Sequence, residues 1–267
     1  MKIGVFDSGF GGLTVLRELV AAIPQADYLY LGDTARLPYG SKSASTIARY
    51  AVSSVEFLVD QGAEYLVIAC NTASALALDE IRNSVSTGVL GVIGPGARAA
   101  SQITRNNSVC VIGTAATVSS HAYKRELEQF GIAAFEKACP LLVPLVEEGW
   151  TDHPITEQVA QIYLRELANE QRSNGSKAAD VLVLGCTHYP LLKPLLHRVL
   201  PEAMHLVDSA EATAHDAAAR LGLRTKPSSR DPKVEFFATD SVDKFQILGT
   251  RFFGQQIDRV ELIALPE

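Results

Sequence analysis

Basic residues are not in excess: 24 Lys and Arg stand against 30 Asp and Glu, a formal net charge of −6 at pH 7. A chain without a cationic stripe is a poor match for phosphate backbones, so nucleic acid is not expected as a principal ligand. Long apolar runs are also missing. The longest are of strand length, well short of the roughly 18 residues that a membrane-spanning helix needs, and no membrane association is expected. Nor is there an export signal; the chain goes directly into a strand pattern, Lys2 to Phe6, and the expected location is the cytoplasm. Cysteine is scarce. Cys70, Cys110, Cys139 and Cys186 include no close pair, which argues for free thiols over a disulfide framework.

What is present is a packed α/β pattern. The 267 residues, 47% of them hydrophobic, suffice for one large α/β domain or two small ones. Strand-like runs alternate with helical periodicity throughout, which favours parallel sheets covered on both faces. The most informative stretch is Asp180 to Pro190, where the run Val181-Leu182-Val183-Leu184 breaks at Gly185 into Cys186-Thr187-His188-Tyr189, and Pro190 opens an amphipathic segment reaching Leu200. The pattern is a buried strand, a tight loop and a helix start. It recurs upstream, where Tyr65 to Ala69 leads into Cys70-Asn71-Thr72. In an open parallel sheet, ligands bind at the carboxyl ends of the strands, so both cysteines stand where chemistry is expected.

Several other segments carry expectations. The loop Asp7-Ser8-Gly9-Phe10-Gly11-Gly12 matches neither the dinucleotide fingerprint nor the phosphate loop, so its glycines are read as room for close backbone approach to another ligand. Gly32 to Gly40 is too polar and proline-bearing to be regular structure, and such a loop often carries a site. Gly94-Pro95-Gly96 reads as a domain boundary, Ser119 or Ser120 as the cap of a helix reaching Phe130, and Arg172 to Ser176 as a polar link. Lys226 to Pro232 reads as a linker, followed by strand Val234 to Ala238, helix Val242 to Phe253 and strand Val260 to Leu265. Glu147-Glu148, taken alone, reads as a solvated helix end.

Three chemistries could use the cysteines. Zinc needs a third and usually a fourth ligand, and Cys-x-His with one distant Cys is not a ligand spacing. A cysteine nucleophile fits Cys186 with His188 but leaves Cys70 without a role. Proton transfer at carbon uses both, because inverting a stereocentre needs a base on one face and an acid on the other. Cys110, inside a strand, and Cys139 lack the polar company a reactive thiol requires.

Four segments together resemble the bacterial glutamate racemases: Gly4 to Thr14, Gly32 to Gly40, Ala69 to Ser74, and Gly185 to Pro190. The resemblance implies two pseudo-symmetric parallel-sheet α/β domains facing across a central cleft, one formed by residues 1–95 and 208–267, the other by 96–207. It implies cofactor-independent racemisation of glutamate, without metal, supplying D-glutamate for peptidoglycan, and a homodimer. By the same resemblance, Cys70 and Cys186 are the acid/base thiols, Asp7 assists the first, and His188 and Glu147 assist the second. Ser8, Tyr39, Gly40, Asn71, Thr72, Thr114, Thr117 and Thr187 match substrate-binding positions. Racemisation of aspartate or another small acid, or glutamate binding without turnover, are the alternatives.

Overall fold

Apolar runs become strands buried from both sides, as in Val181–Gly185, where all five residues are inaccessible. The computed structural model describes residues 1–175, 177–223 and 231–266. Among these, ten strands follow one another as β1 (Lys2–Asp7), β2 (Asp27–Gly32), β3 (Tyr65–Ile68), β4 (Gly88–Gly91), β5 (Ser108–Gly113), β6 (Ala133–Ala138), β7 (Val181–Gly185), β8 (His205–Asp208), β9 (Val234–Ala238) and β10 (Glu261–Leu262). They form two sheets, β10-β9-β2-β1-β3-β4 and β6-β5-β7-β8, and every pairing is parallel. The expected class, two parallel-sheet α/β domains, is the one observed.

The two sheets share a strand order. Reading β1 to β4 against β5 to β8, both run second-first-third-fourth, so β3 and β7, the strands that lead into Cys70 and Cys186, occupy equivalent places. The first sheet is completed by the end of the chain: β9 lies beside β2, with Tyr28 opposite Val234 and Gly32 opposite Ala238. Helix Val242–Phe253 then returns under the β1 loop, where Phe245 packs edge-on against Phe10 and Tyr30 at ring-centroid distances of 5.8 and 5.9 Å.

The connections between the sheets differ in part from the sequence reading. Gly94-Pro95-Gly96 lies inside the opening turns of helix Ile93–Ile103, where a proline lacks a helical partner for its nitrogen anyway and is tolerated. That helix packs against β7, β8 and helix Ser209–Arg220, and the latter packs against helix Leu13–Ala22 of the first sheet's layer. Strand β6 is absent from the sequence reading. It is an edge strand whose residues Ala133 to Ala138 include one buried position, so it carries little apolar signal. The helix expected to start at Ser119 or Ser120 and reach Phe130 runs over Ala122–Glu128, with Ser120 Oγ accepting the Ala122 N–H at 3.2 Å; a short helix absent from the sequence reading, Ala115–Ser119, precedes it, and His121 between them is left-handed at φ 53°. Arg172 and Ser173 belong to helix Pro154–Ser173, and Ser176 lies outside the described residues. The last strand shrinks to Glu261–Leu262, and residues 226–230 of the expected linker lie outside the described residues.

Candidate active site

In each sheet the chain leaves the central strand toward one side and later returns on the other. The carboxyl ends of β1 and β3, and of β5 and β7, are therefore the switch points at which a parallel sheet opens a crevice. These four ends meet one another. Thr14 donates its hydroxyl to the Thr187 carbonyl at 3.0 Å, and Thr72 Oγ1 lies 3.0 Å from Thr114 Oγ1. Gly11 approaches so closely that a side chain there would collide with Thr187 Oγ1 and His188 Nδ1, which accounts for a glycine at that point of the loop.

Cys70 caps helix Asn71–Leu76, and its Sγ accepts the Ala73 N–H at 3.4 Å. The thiol lies 3.5 Å from Ser8 Oγ, as donor. With 5% of its surface exposed, the residue is closed off from water. Burial raises its pKa to about 12, with the Asp7 charge adding to the effect and the bonds to Ser8 and Ala73 opposing it. Burial therefore outweighs the helix start at this sulfur. Asp7 ends β1, fully buried, with Oδ2 accepting the Gly9 N–H at 2.9 Å and Oδ1 unpartnered among the described residues. Burial raises its pKa as well, and the charge of His188 works against that rise.

Cys186, 4% exposed, follows β7 and has different company. His188 Nδ1 is 3.9 Å from its Sγ, and His188 Nε2 is 3.2 Å from Glu147 Oε1, at the end of helix Leu142–Glu147. Burial disfavours a protonated imidazole, but hydrogen bonds to Cys186 and Glu147 outweigh it and raise the His188 pKa to about 10. For Glu147, burial raises the pKa, and the His188 and Lys244 contacts reverse this to leave it below the ordinary value. Lys244 donates to Glu147 Oε2 at 3.3 Å. One sulfur therefore sits beside a carboxyl group and a helix start, the other beside an imidazolium backed by a carboxylate.

A model of the family described as Asp/Glu/Hydantoin racemase matches residues 3–217. The chain belongs to that racemase family. Glutamate racemase from Koribacter versatilis is 56% identical to it over 98% of this chain and 97% of its own length. A glutamate racemase isoform from Bacillus anthracis superposes with a TM-score of 0.90 at 37% identity, covering 99% of this chain and 97% of that one. Glutamate racemase from Francisella tularensis, solved in complex with D-glutamate, superposes with a TM-score of 0.86 at 34% identity, covering 98% and 97%.

The other expected positions of this racemase-family site cluster along the same seam. Thr114 caps helix Ala115–Ser119 by accepting the Thr117 N–H at 3.2 Å, and the Thr114 and Thr117 hydroxyls lie 2.9 Å apart. With Thr72 they make a triad of hydroxyls drawn from both halves of the chain. Gly40 faces Thr114, and Tyr39, buried beside it, donates to Asp33 Oδ2 at 2.6 Å. Asn71 is buried, and its Nδ2 has no partner among the described residues. Thr187 Oγ1 lies 3.5 Å from His188 Nδ1.

Sequence reasoning left several neighbours of these groups without a role. Asp33 holds Tyr39 and also accepts Thr239 Oγ1–H at 2.9 Å, which ties the Gly32 to Gly40 loop to the returning chain end. Lys244 and Phe252 come from helix Val242–Phe253; Phe252 meets the His188 ring edge-on at 5.0 Å. Tyr123 donates to Asn71 Oδ1 at 2.8 Å. No spacing in the sequence connects residues this far apart. Thr14 and Asp33 at least fall inside the segments that carry the resemblance.

Proposed function

We propose that this chain is a glutamate racemase that interconverts L- and D-glutamate by proton transfer at Cα, with Cys70 and Cys186 as the two acid/base groups. The observation that carries the proposal is that the two cysteines follow equivalent strands of two like-ordered sheets, whose carboxyl ends meet. A substrate held between such ends presents one face of its α-carbon to each sulfur. In one direction Cys70 takes the Cα proton from D-glutamate, and the thiol of Cys186 delivers a proton to the opposite face. In the other direction the roles exchange. Each turnover leaves one thiol protonated and the other deprotonated, in the reverse of the starting order.

Roles follow from the company each group keeps. Asp7 assists Cys70, while Glu147 and His188 hold charge or a proton for Cys186. Ser8, Tyr39, Gly40, Asn71, Thr72, Thr114, Thr117 and Thr187 offer neutral donors and acceptors suited to two carboxylates and an ammonium group. The Francisella relative's complex with D-glutamate supports glutamate as the ligand. Domain bounds of 1–95 with 208–267, and of 96–207, belong to the same reading. So do a homodimer and supply of D-glutamate for peptidoglycan, which rest on the resemblance, and a cytoplasmic location, which rests on the sequence reading of the first residues. No helix among the described residues is long and apolar enough to cross a membrane.

The test is to incubate the purified protein with each enantiomer of glutamate and of aspartate, without added cofactor, and follow optical rotation. Both glutamate enantiomers should decay to a racemate. Static rotation would leave a binding protein, and equal turnover of aspartate would leave a broader racemase.

A further inference from the structure

Tyr123 is fully buried in helix Ala122–Glu128, and it touches the neighbours of both cysteines. Its hydroxyl donates to Oδ1 of Asn71, the residue after Cys70. Its ring lies against Gly185, the residue before Cys186: a methyl group on Gly185 would stand 3.0 Å from Tyr123 Cε2, and one on Gly96 would stand 3.2 Å from Cε1. The two glycines form a slot that admits the ring in one position and so fixes where the hydroxyl ends.

The consequence falls on Asn71. A carboxamide offers an oxygen that accepts and a nitrogen that donates. Its oxygen is taken by Tyr123, so the end left over is Nδ2, which is buried and unpartnered among the described residues. A buried donor without an acceptor is unfavourable, and a carboxylate oxygen would relieve it. We propose that Tyr123 is a positioning residue for racemisation, its hydroxyl locking the Asn71 carboxamide so that Nδ2 is presented to a substrate carboxylate, in register with the Cys186 loop. This rests on the reading of the chain as a glutamate racemase with Asn71 at the substrate.

Tyr123→Phe keeps the ring in its slot and removes the donor. The KM for both enantiomers of glutamate should rise roughly tenfold, the size of one lost buried hydrogen bond, with a smaller fall in kcat. In an Asn71→Ala background the same change should alter KM by less than about twofold, because Tyr123 acts through Asn71. An unchanged KM in Tyr123→Phe, or losses that multiply in the double variant, would overturn the proposal and reduce Tyr123 to packing. A measurement on the unmodified protein covers the case in which Tyr123→Phe fails to fold. With ¹⁵N-labelled asparagine, the Asn71 carboxamide signals, assigned by their loss in Asn71→Ala, should shift when D-glutamate is added; unmoved signals overturn it. An unmodified protein that does not racemise glutamate defeats the functional reading itself, whereas an active one indifferent to Tyr123→Phe defeats the inference alone.

Discussion

His188 Nε2 lies 3.2 Å from Glu147 Oε1, and this contact gives the second half of the site a charge pair that the first half lacks. Cys70 feels the negative charge of Asp7 instead, so the two sulfurs are chemically distinct although their strands are equivalent.

Cys70→Ser and Cys186→Ser should each lower racemisation by roughly 10²–10⁴-fold, since a hydroxyl is a far weaker acid than a thiol. Cys110→Ser and Cys139→Ser should retain most activity. In deuterated water the unmodified enzyme should place one deuterium at Cα of the product. Near-normal interconversion by either of the first two variants would contradict the two-base scheme.

The basic limb of the pH–rate profile should reflect His188. Its pKa in the folded chain, about 10, exceeds its ordinary value, so the charge pair contributes stability that is complete below about pH 6.5 and is lost as pH rises through about 10. Glu147→Gln removes the countercharge, and the basic limb should move down by about one pH unit or more. Initial rates measured on the two proteins from about pH 6 to about pH 11 would show whether it does.

Asp7→Asn should lower turnover and raise stability together. The carboxyl pKa is raised by burial in the folded chain, so the unfolded chain ionises first, and stability falls as pH climbs through the interval between the two values and stays reduced above it. Asparagine removes that penalty and keeps an acceptor for the Gly9 N–H. Thermal melts should therefore show a higher midpoint for Asp7→Asn at neutral pH and a smaller difference in acid.

Glutamate should be turned over in preference to aspartate by about tenfold or more. A site that matches both carboxylates leaves a buried donor unmatched when the substrate is one methylene shorter, at a cost of about 1–3 kcal/mol. Comparison of kcat/KM for the two amino acids decides this.

The strands that carry the cysteines were legible because parallel strands buried on both faces read as uninterrupted apolar runs, as in Val181 to Gly185. Helix Val242–Phe253 and strand Val234–Ala238 were legible with their full bounds. Strand β6 was not, since an edge needs few apolar residues, and of helix Ile93–Ile103 only the part from Ala97 to Ile103 was legible, because its Gly-Pro-Gly opening imitates a break. Asp7, Cys70, Cys186 and His188 stand at strand ends and were visible as such. The Asn71 to Tyr123 bond, between residues 52 positions apart, exists only once both halves have folded.

The placement of β9 beside β2 also bears on how the chain is made. Strands β5 to β8 emerge from a ribosome as one continuous block, whereas the outer edge of β2 stays unpaired until residues 234–238 have been synthesised. The second sheet can therefore close first, while the first waits with an open, apolar edge of the kind that recruits other chains. A product truncated after Leu223 would keep both cysteines, Asp7, Glu147 and His188, yet lose the strand that covers β2 and the helix that supports Phe10. Such a fragment would retain the side chains proposed for proton transfer while leaving the β2 edge open to pairing with another chain, so the last residues of the chain protect an edge that the site itself does not.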